Sequence, residues 1–146
     1  ADVAVCAVRV VDTNVVVYQI LEGDATPAAR ALFDSDSDWR SDSFLLVEFT
    51  NVLVTAIRAG RLSARSAANA LTHARRVMEP GLQAAPHELV LSLAIRHRLS
   101  AYDARFIAVA DALGTRLISE DVKLRRAAPR LTQSLEQALR DQSSGN

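Results

Sequence analysis

The stretch Arg9-Val10-Val11-Asp12-Thr13-Asn14-Val15-Val16-Val17 constrains the fold more than any other part of the chain. An apolar, β-branched run stops at one carboxylate, a small polar pair follows, and the apolar run resumes. Valine favours strands because its branched Cβ packs well on a pleated surface. Residues 8–12 therefore read as a buried first strand delivering Asp12 to the C-terminal edge of an α/β sheet, the edge where ligands collect in open sheets of this kind.

The rest of the chain alternates short apolar runs with helical periodicities. Residues 13–21 predict a helix capped near Asp12 or Thr13 and ending before Gly23. Thr26-Pro27 opens a second helix, with Ala28, Ala31 and Leu32 on its packing side. Asp34-Ser35-Asp36-Ser37-Asp38 is a polar loop, and residues 39–41 predict a short second strand. Residues 43–59 form the first long helix, closed by Gly60, and Ser63 caps another that runs to Met78. Pro80-Gly81 is a turn, and residues 82–85 make a brief strand. Residues 86–98 are apolar around most of a helical circumference, so this helix is expected to sit centrally. Residues 100–113 predict a helix ended by Gly114, residues 115–118 a short buried strand, and Glu120 or Asp121 to Ala127 a further helix before Pro129. Residues 130–141 read as a weak strand or helix, and 142–146 should fray. Few, short strands alternating with helices predict a three-layer α/β/α domain with a small central parallel sheet. With no internal repeat and no linker, residues 1–146 read as one domain, its core at about residues 9–130.

Composition narrows the function classes. A hydrophobic fraction of 49% and a charged fraction of 23% are ordinary for a soluble globular protein, and no apolar run approaches the roughly eighteen residues of a membrane span. Residues 1–8 carry neither an initiator Met nor a positively charged n-region, and read as a processed end rather than a signal peptide. Cys6 is the only cysteine, which excludes an intramolecular disulfide, disfavours a cysteine zinc site and fits a reducing cytoplasm. The formal net charge of +0 hides an asymmetry, because residues 1–48 hold nine acids against three basic side chains. Residues 49–78 hold five arginines (58, 61, 65, 75 and 76) and no acid. Arginine suits bidentate phosphate recognition, although a solvated helix face has the same composition.

Four carboxylates stand out, each explicable singly. Asp12 and Asp121 each follow an apolar strand and precede a helix, where an N-cap accounts for them. Asp103 follows Ser100 by three, the spacing of a capping box, but Phe106, Ile107 and Ala110 continue its face inward. Glu48 shares a helix face with Phe44, Leu45, Asn51 and Val52. An unpaired charge on so apolar a face needs a cation, a hydrogen-bond network or a proton. Parallel strands deliver their ends to one sheet edge, so Asp12 and Asp121 meet there if their strands are neighbours, and helices docked over that edge can add Glu48 and Asp103. Divalent cations would relieve the mutual repulsion of such a group, and oxygen-only ligands favour Mg²⁺ or Mn²⁺. Glu120, one residue away, competes with Asp121 for the last place.

The segments around these acids resemble the motifs of PIN domains. Val-Val-Asp12-Thr-Asn is similar to the family's opening motif, Ser100-Ala-Tyr-Asp103-Ala to the start of its later helix, and Leu117-Ile-Ser119-Glu-Asp121-Val-Lys-Leu124 to its "L-x-T-x-D-x-x-L" segment. Glu48 falls in the helix where the family places a glutamate. Ser119 departs from the usual Thr but keeps the hydroxyl. Size and motif order resemble the VapC toxins of bacterial toxin–antitoxin pairs. The resemblance implies a Mg²⁺- or Mn²⁺-dependent endoribonuclease, a homodimer held inactive by a VapB-like antitoxin. In it, metal-activated water hydrolyses the phosphodiester. Asp12 would be the central ligand, with Glu48, Asp103 and Asp121 completing the site. Thr13, Asn14 and Ser119 would orient water or carboxylates, and Arg105, Arg58 and Arg61 would meet RNA. His73, His87 and His97 lie away from the motifs and read as structural or exposed. A receiver-type phosphoacceptor lacks support, because the adjacent acids expected after its first strand are missing and Lys123 falls in a helix. Asn14 stands where a haloacid-dehalogenase-like phosphatase would place its second Asp. A non-catalytic PIN-like interaction module stays open.

Overall fold

The computed structural model describes residues 8–143, so the readings of Cys6, of the N-terminal end and of fraying at residues 144–146 lie outside the described residues. Strands β1 (Arg9–Val11), β2 (Trp39–Asp42), β3 (Leu82–Gln83), β4 (Leu117–Ile118) and β5 (Thr132–Gln133) form one sheet in the order β3-β2-β1-β4-β5. Every pairing is parallel. The strand order reverses direction between β1 and β4, which makes the end of β1 the crevice of a doubly wound sheet. Val10, Val11, Leu117 and Ile118 are fully or almost fully buried, as central parallel strands covered on both faces must be.

Eight helices flank the sheet among the described residues: α1 (Thr13–Ile20), α2 (Thr26–Ser35), α3 (Leu45–Arg58), α4 (Ala64–Met78), α5 (His87–His97), α6 (Ala101–Ala112), α7 (Val122–Ala127) and α8 (Leu135–Ser143). The result is the expected three-layer α/β/α arrangement. Helix starts follow the sequence signals closely. Asp12 caps α1 through the Val15 N–H, Ser63 caps α4, Ser100 caps α6 through the Asp103 N–H, and Asp121 caps α7. Helices α3 and α6 end where Gly60 and Gly114 adopt φ of 71°, a left-handed conformation that costs glycine little.

The structure corrects several expectations. Helix α5 is not central: only Val90 and Leu93 are buried, whereas Leu91 is 62% and Ile95 71% exposed. The central helix is α6, whose small Ala104, Ala108 and Ala110 let it lie close against β1, β2 and β4, leaving α5 to pack on its outer side. In α2 the packing side is Thr26, Ala29 and Leu32, with Ala31 exposed. The first long helix begins at Leu45 rather than Ser43 and has no side-chain cap of its own. The weak C-terminal segment resolves into β5 and then α8, which packs on α2 and keeps Gln142 and Ser143 helical. Of the arginines between 58 and 76, Arg58 ends α3, Arg61 lies in the connection, and the rest belong to α4, as the boundaries at Gly60 and Ser63 predict. No helix among the described residues is long and apolar enough to cross a membrane.

One buried ion pair ties the site-bearing elements together. Asp42, fully buried at the end of β2, accepts hydrogen bonds from the Phe44 N–H at 2.8 Å, the Ala85 N–H at 3.0 Å and Arg105 Nε at 2.8 Å. It thereby joins β2, the start of α3, the segment before α5 and helix α6. Asp42→Ala would leave the Arg105 cation unpaired, together with two buried N–H groups, and is expected to destabilise the protein by about 3 kcal/mol in chemical denaturation. Combining it with Arg105→Met should recover part of the loss; strictly additive losses would show that the pair is not coupled.

Candidate active site

The pairing of Val11 with Ile118 sets the next residue of each strand, Asp12 and Ser119, side by side at the sheet edge. The Asp12 N–H donates to the Ile118 carbonyl at 3.3 Å. The Ser119 hydroxyl hydrogen-bonds the Asp12 carboxylate and accepts the Asp121 N–H at 3.1 Å, so one small buried side chain positions both acids. Thr13, first residue of α1, donates its hydroxyl to Glu48 Oε1 at 2.9 Å and so joins α1 to α3. These elements bound a cavity of about 510 Å³ whose lining includes Asp12, Thr13, Asn14, Glu48 and Asp103. Asp121 does not line it, yet both Asp12 and Asp103 feel its charge.

The electrostatics set this edge apart. Asp12 is only 6% exposed, and burial pushes its carboxyl up to about 7; bonds from Ser119 and the Val15 N–H pull it down, while the charges of Asp121 and Glu48 add to the rise. Glu48 is raised by burial, eased by the Thr13 bond, and raised again by Asp103 and Asp42. Asp103 is raised by burial and by Asp121, against a bond from Ser100. Among the described residues none of the four acids forms an ion pair. The charge of Asp121 thus reaches both Asp12 and Asp103, that of Glu48 reaches Asp12, and that of Asp103 reaches Glu48.

Their spacing is more open than the sequence suggests. No three His, Cys, Asp or Glu side chains among the described residues stand close enough, as placed, to form a metal-ligand group. Each has a separate commitment: Asp12 and Asp121 cap helices, while Glu48 and Asp103 are bonded to Thr13 and Ser100. In donor chemistry they still fit a hard divalent cation: every candidate ligand atom is oxygen, and the buried Asp12 charge is uncompensated.

Glu120 and Asp121 each have partners of their own, Asp121 Oδ1 accepting the Lys123 N–H at 2.9 Å and the Leu124 N–H at 3.2 Å. Glu120 Oε1 accepts the Leu135 N–H at 2.7 Å and lies 3.6 Å from Arg125 Nη1, which commits it to the start of α8. Arg105, expected to meet RNA, has its Nε committed to Asp42 instead. Arg58 and Arg61 are exposed, and Arg61 lines a second cavity of about 660 Å³ that shares Asn51 and Val52 with the acidic one. His73 and His87 are exposed and His97 half-buried, and none lines the acidic cavity. Sequence reasoning missed Tyr18, whose phenol is pushed up by burial and then by the charges of Asp12, Glu120 and Asp121. Its spacing of four from Asn14 on one helix face is the signal available. It also missed Asp42, a strand-end acid like Asp12.

Comparison with known proteins identifies the family and the fold. The sequence matches the PIN domain family over residues 9–129, most of its length. The fold is similar to that in the crystal structure of PAE2754 from Pyrobaculum aerophilum, at a TM-score of 0.73 and 20% identity, covering 95% of this chain and 98% of that one. A comparison with curated proteins gives no match. The chain belongs to the PIN domain family.

Proposed function

We propose that this PIN domain, spanning residues 1–146, is a Mg²⁺- or Mn²⁺-dependent endoribonuclease and the toxin of a VapBC-type pair. On this reading it acts as a cytoplasmic homodimer that a VapB-like antitoxin restrains. The observation that carries the proposal is a buried Asp12 without an ion-pair partner at the switch point of the sheet, its carboxyl raised to about 7 with the charges of Asp121 and Glu48 adding to the rise. A carboxyl perturbed by burial inside a cleft is a functional-site candidate on physical grounds. PIN domains are generally nucleases, which makes hydrolysis of a phosphodiester the matching reaction class.

Asp12, Glu48, Asp103 and Asp121 would hold the cation or cations. When bound, the metal supplies activation of water and neutralisation of charge on the phosphate and the leaving oxygen. The protein's own part is positional. Ser119 fixes the Asp12 carboxylate and the Asp121 backbone, Thr13 orients Glu48, and the exposed Asn14 amide faces the cavity where attacking water would be oriented. No histidine is required as a base. Arg58 and Arg61 would offset the repulsion between an acidic floor and a polyanionic strand, which makes binding weaken with added salt. The open spacing of the acids favours one second reading, a PIN-like interaction module without catalysis.

Asp12→Asn is expected to abolish cleavage of RNA and weaken Mn²⁺ binding while leaving the circular dichroism spectrum intact; cleavage at the parental rate would place the centre elsewhere. EDTA should stop cleavage and added Mg²⁺ restore it, and activity that survives thorough chelation would rule out the metal. Stability should carry the same signature. The folded Asp12 carboxyl titrates at about 7 against an ordinary 3.8, so across that window the folded state holds a proton that the unfolded state has released. The metal-free protein should therefore lose stability as pH rises from about 4 through 7. Mg²⁺ should raise its melting temperature more at about pH 8 than at about pH 5. Equal Mg²⁺ effects at the two pH values would contradict an unneutralised Asp12.

A further inference from the structure

We propose that Phe44 and Tyr102 form a stacking platform that holds an unpaired nucleobase next to the scissile phosphate. This inference rests on the nuclease reading above. The two rings lie 5.2 Å apart between centroids at an interplanar angle of 26°, and both line the cavity that holds Asp12, Glu48 and Asp103. Tyr102 is 61% exposed, a large ring left uncovered beside an acidic floor. Exposed Val47 extends the same apolar rim.

The chemistry of this rim selects its occupant. The acids repel a phosphate that lacks a cation, and a flat apolar ring offers little to phosphate or ribose. It does match the π-face that every base carries. A base inside a duplex has both faces covered by its neighbours, so only an unstacked base can add to the ring. An apolar side chain of a protein partner would also touch this rim, but a near-parallel pair of rings is extended best by another flat π-system, which every nucleobase offers.

The platform is also pre-organised. The Phe44 N–H is held by Asp42, and the Arg105 guanidinium, tied to the same carboxylate, lies 5.6 Å from the Phe44 ring centroid. Tyr102 rests on a ring that is fixed from both its backbone and its face. Little side-chain freedom is left to lose when a base arrives, so most of the stacking energy is available for binding.

The test is fluorescence anisotropy of a labelled single-stranded oligoribonucleotide on the Asp12→Asn protein, in which cleavage does not intervene and one acid of the floor is neutral without a bound cation. Adding Tyr102→Ala should weaken binding roughly tenfold, the scale of one base–aromatic stack, and Tyr102→Phe should restore it. A duplex of the same composition should bind with no dependence on Tyr102. If the parental protein cleaves no RNA but this dependence holds, the nuclease reading fails and the platform stands. If the parental protein cleaves RNA while Tyr102→Ala binds the single strand undiminished, the platform is overturned and the nuclease reading stands, leaving the rim to a protein partner. Failure of the single strand to bind at all overturns the platform as well.

Discussion

Folding this chain takes the Asp12 carboxylate out of water without giving it a cation, and much of the surrounding structure answers that cost. The residue cannot be moved outward, because it directly follows the central strand of the sheet and caps the next helix. What the fold supplies instead is hydrogen bonding, from the Ser119 hydroxyl and the Val15 N–H. Two neutral donors soften the desolvation but do not cancel it, as the raised titration of the group records. A site in this condition favours whatever brings positive charge, a proton or a cation.

Asp42 shows the opposite solution to the same problem. It too ends a parallel strand next to the centre of the sheet, and it is at least as deeply buried. Arg105 reaches it from α6, two backbone N–H groups complete its shell, and the charge becomes a structural joint. The two acids lie on adjacent strands and differ only in who meets them. Asp42 holds the start of α3 and the body of α6, the two helices that carry Glu48 and Asp103, so the neutralised acid frames the unneutralised ones.

That contrast marks where the sequence stops being readable. Strand ends, helix caps and the order of elements follow from short-range signals, so Asp12, Ser63, Ser100 and Asp121 were all identifiable as helix starts from neighbours within three residues. That the ends of β1 and β4 share one sheet edge follows from parallel strands. Partnership across the chain did not follow. Nothing near Asp42 announces Arg105, and nothing near Glu120 announces the Leu135 N–H that occupies it. Helix α5 misled for a related reason: its apolar circumference describes how sticky a helix is, whereas centrality goes to the helix that fits closest to the sheet. The alanines of α6 decide that, through their small size.

The pairing of Val11 with Ile118 has a consequence for the chain while it is being made. The first strand emerges early, but the neighbour that completes the acidic edge, and the serine that positions its central acid, come from the far end of the sequence. Closing so long a loop surrenders chain entropy before the contacts it permits are gained. A nascent chain that has not reached β4 holds Asp12 and Glu48 without Ser119 or Asp121. Such a chain cannot assemble the site beside the ribosome that is producing it. The topology postpones whatever chemistry this edge performs until synthesis of the last interior strands is done.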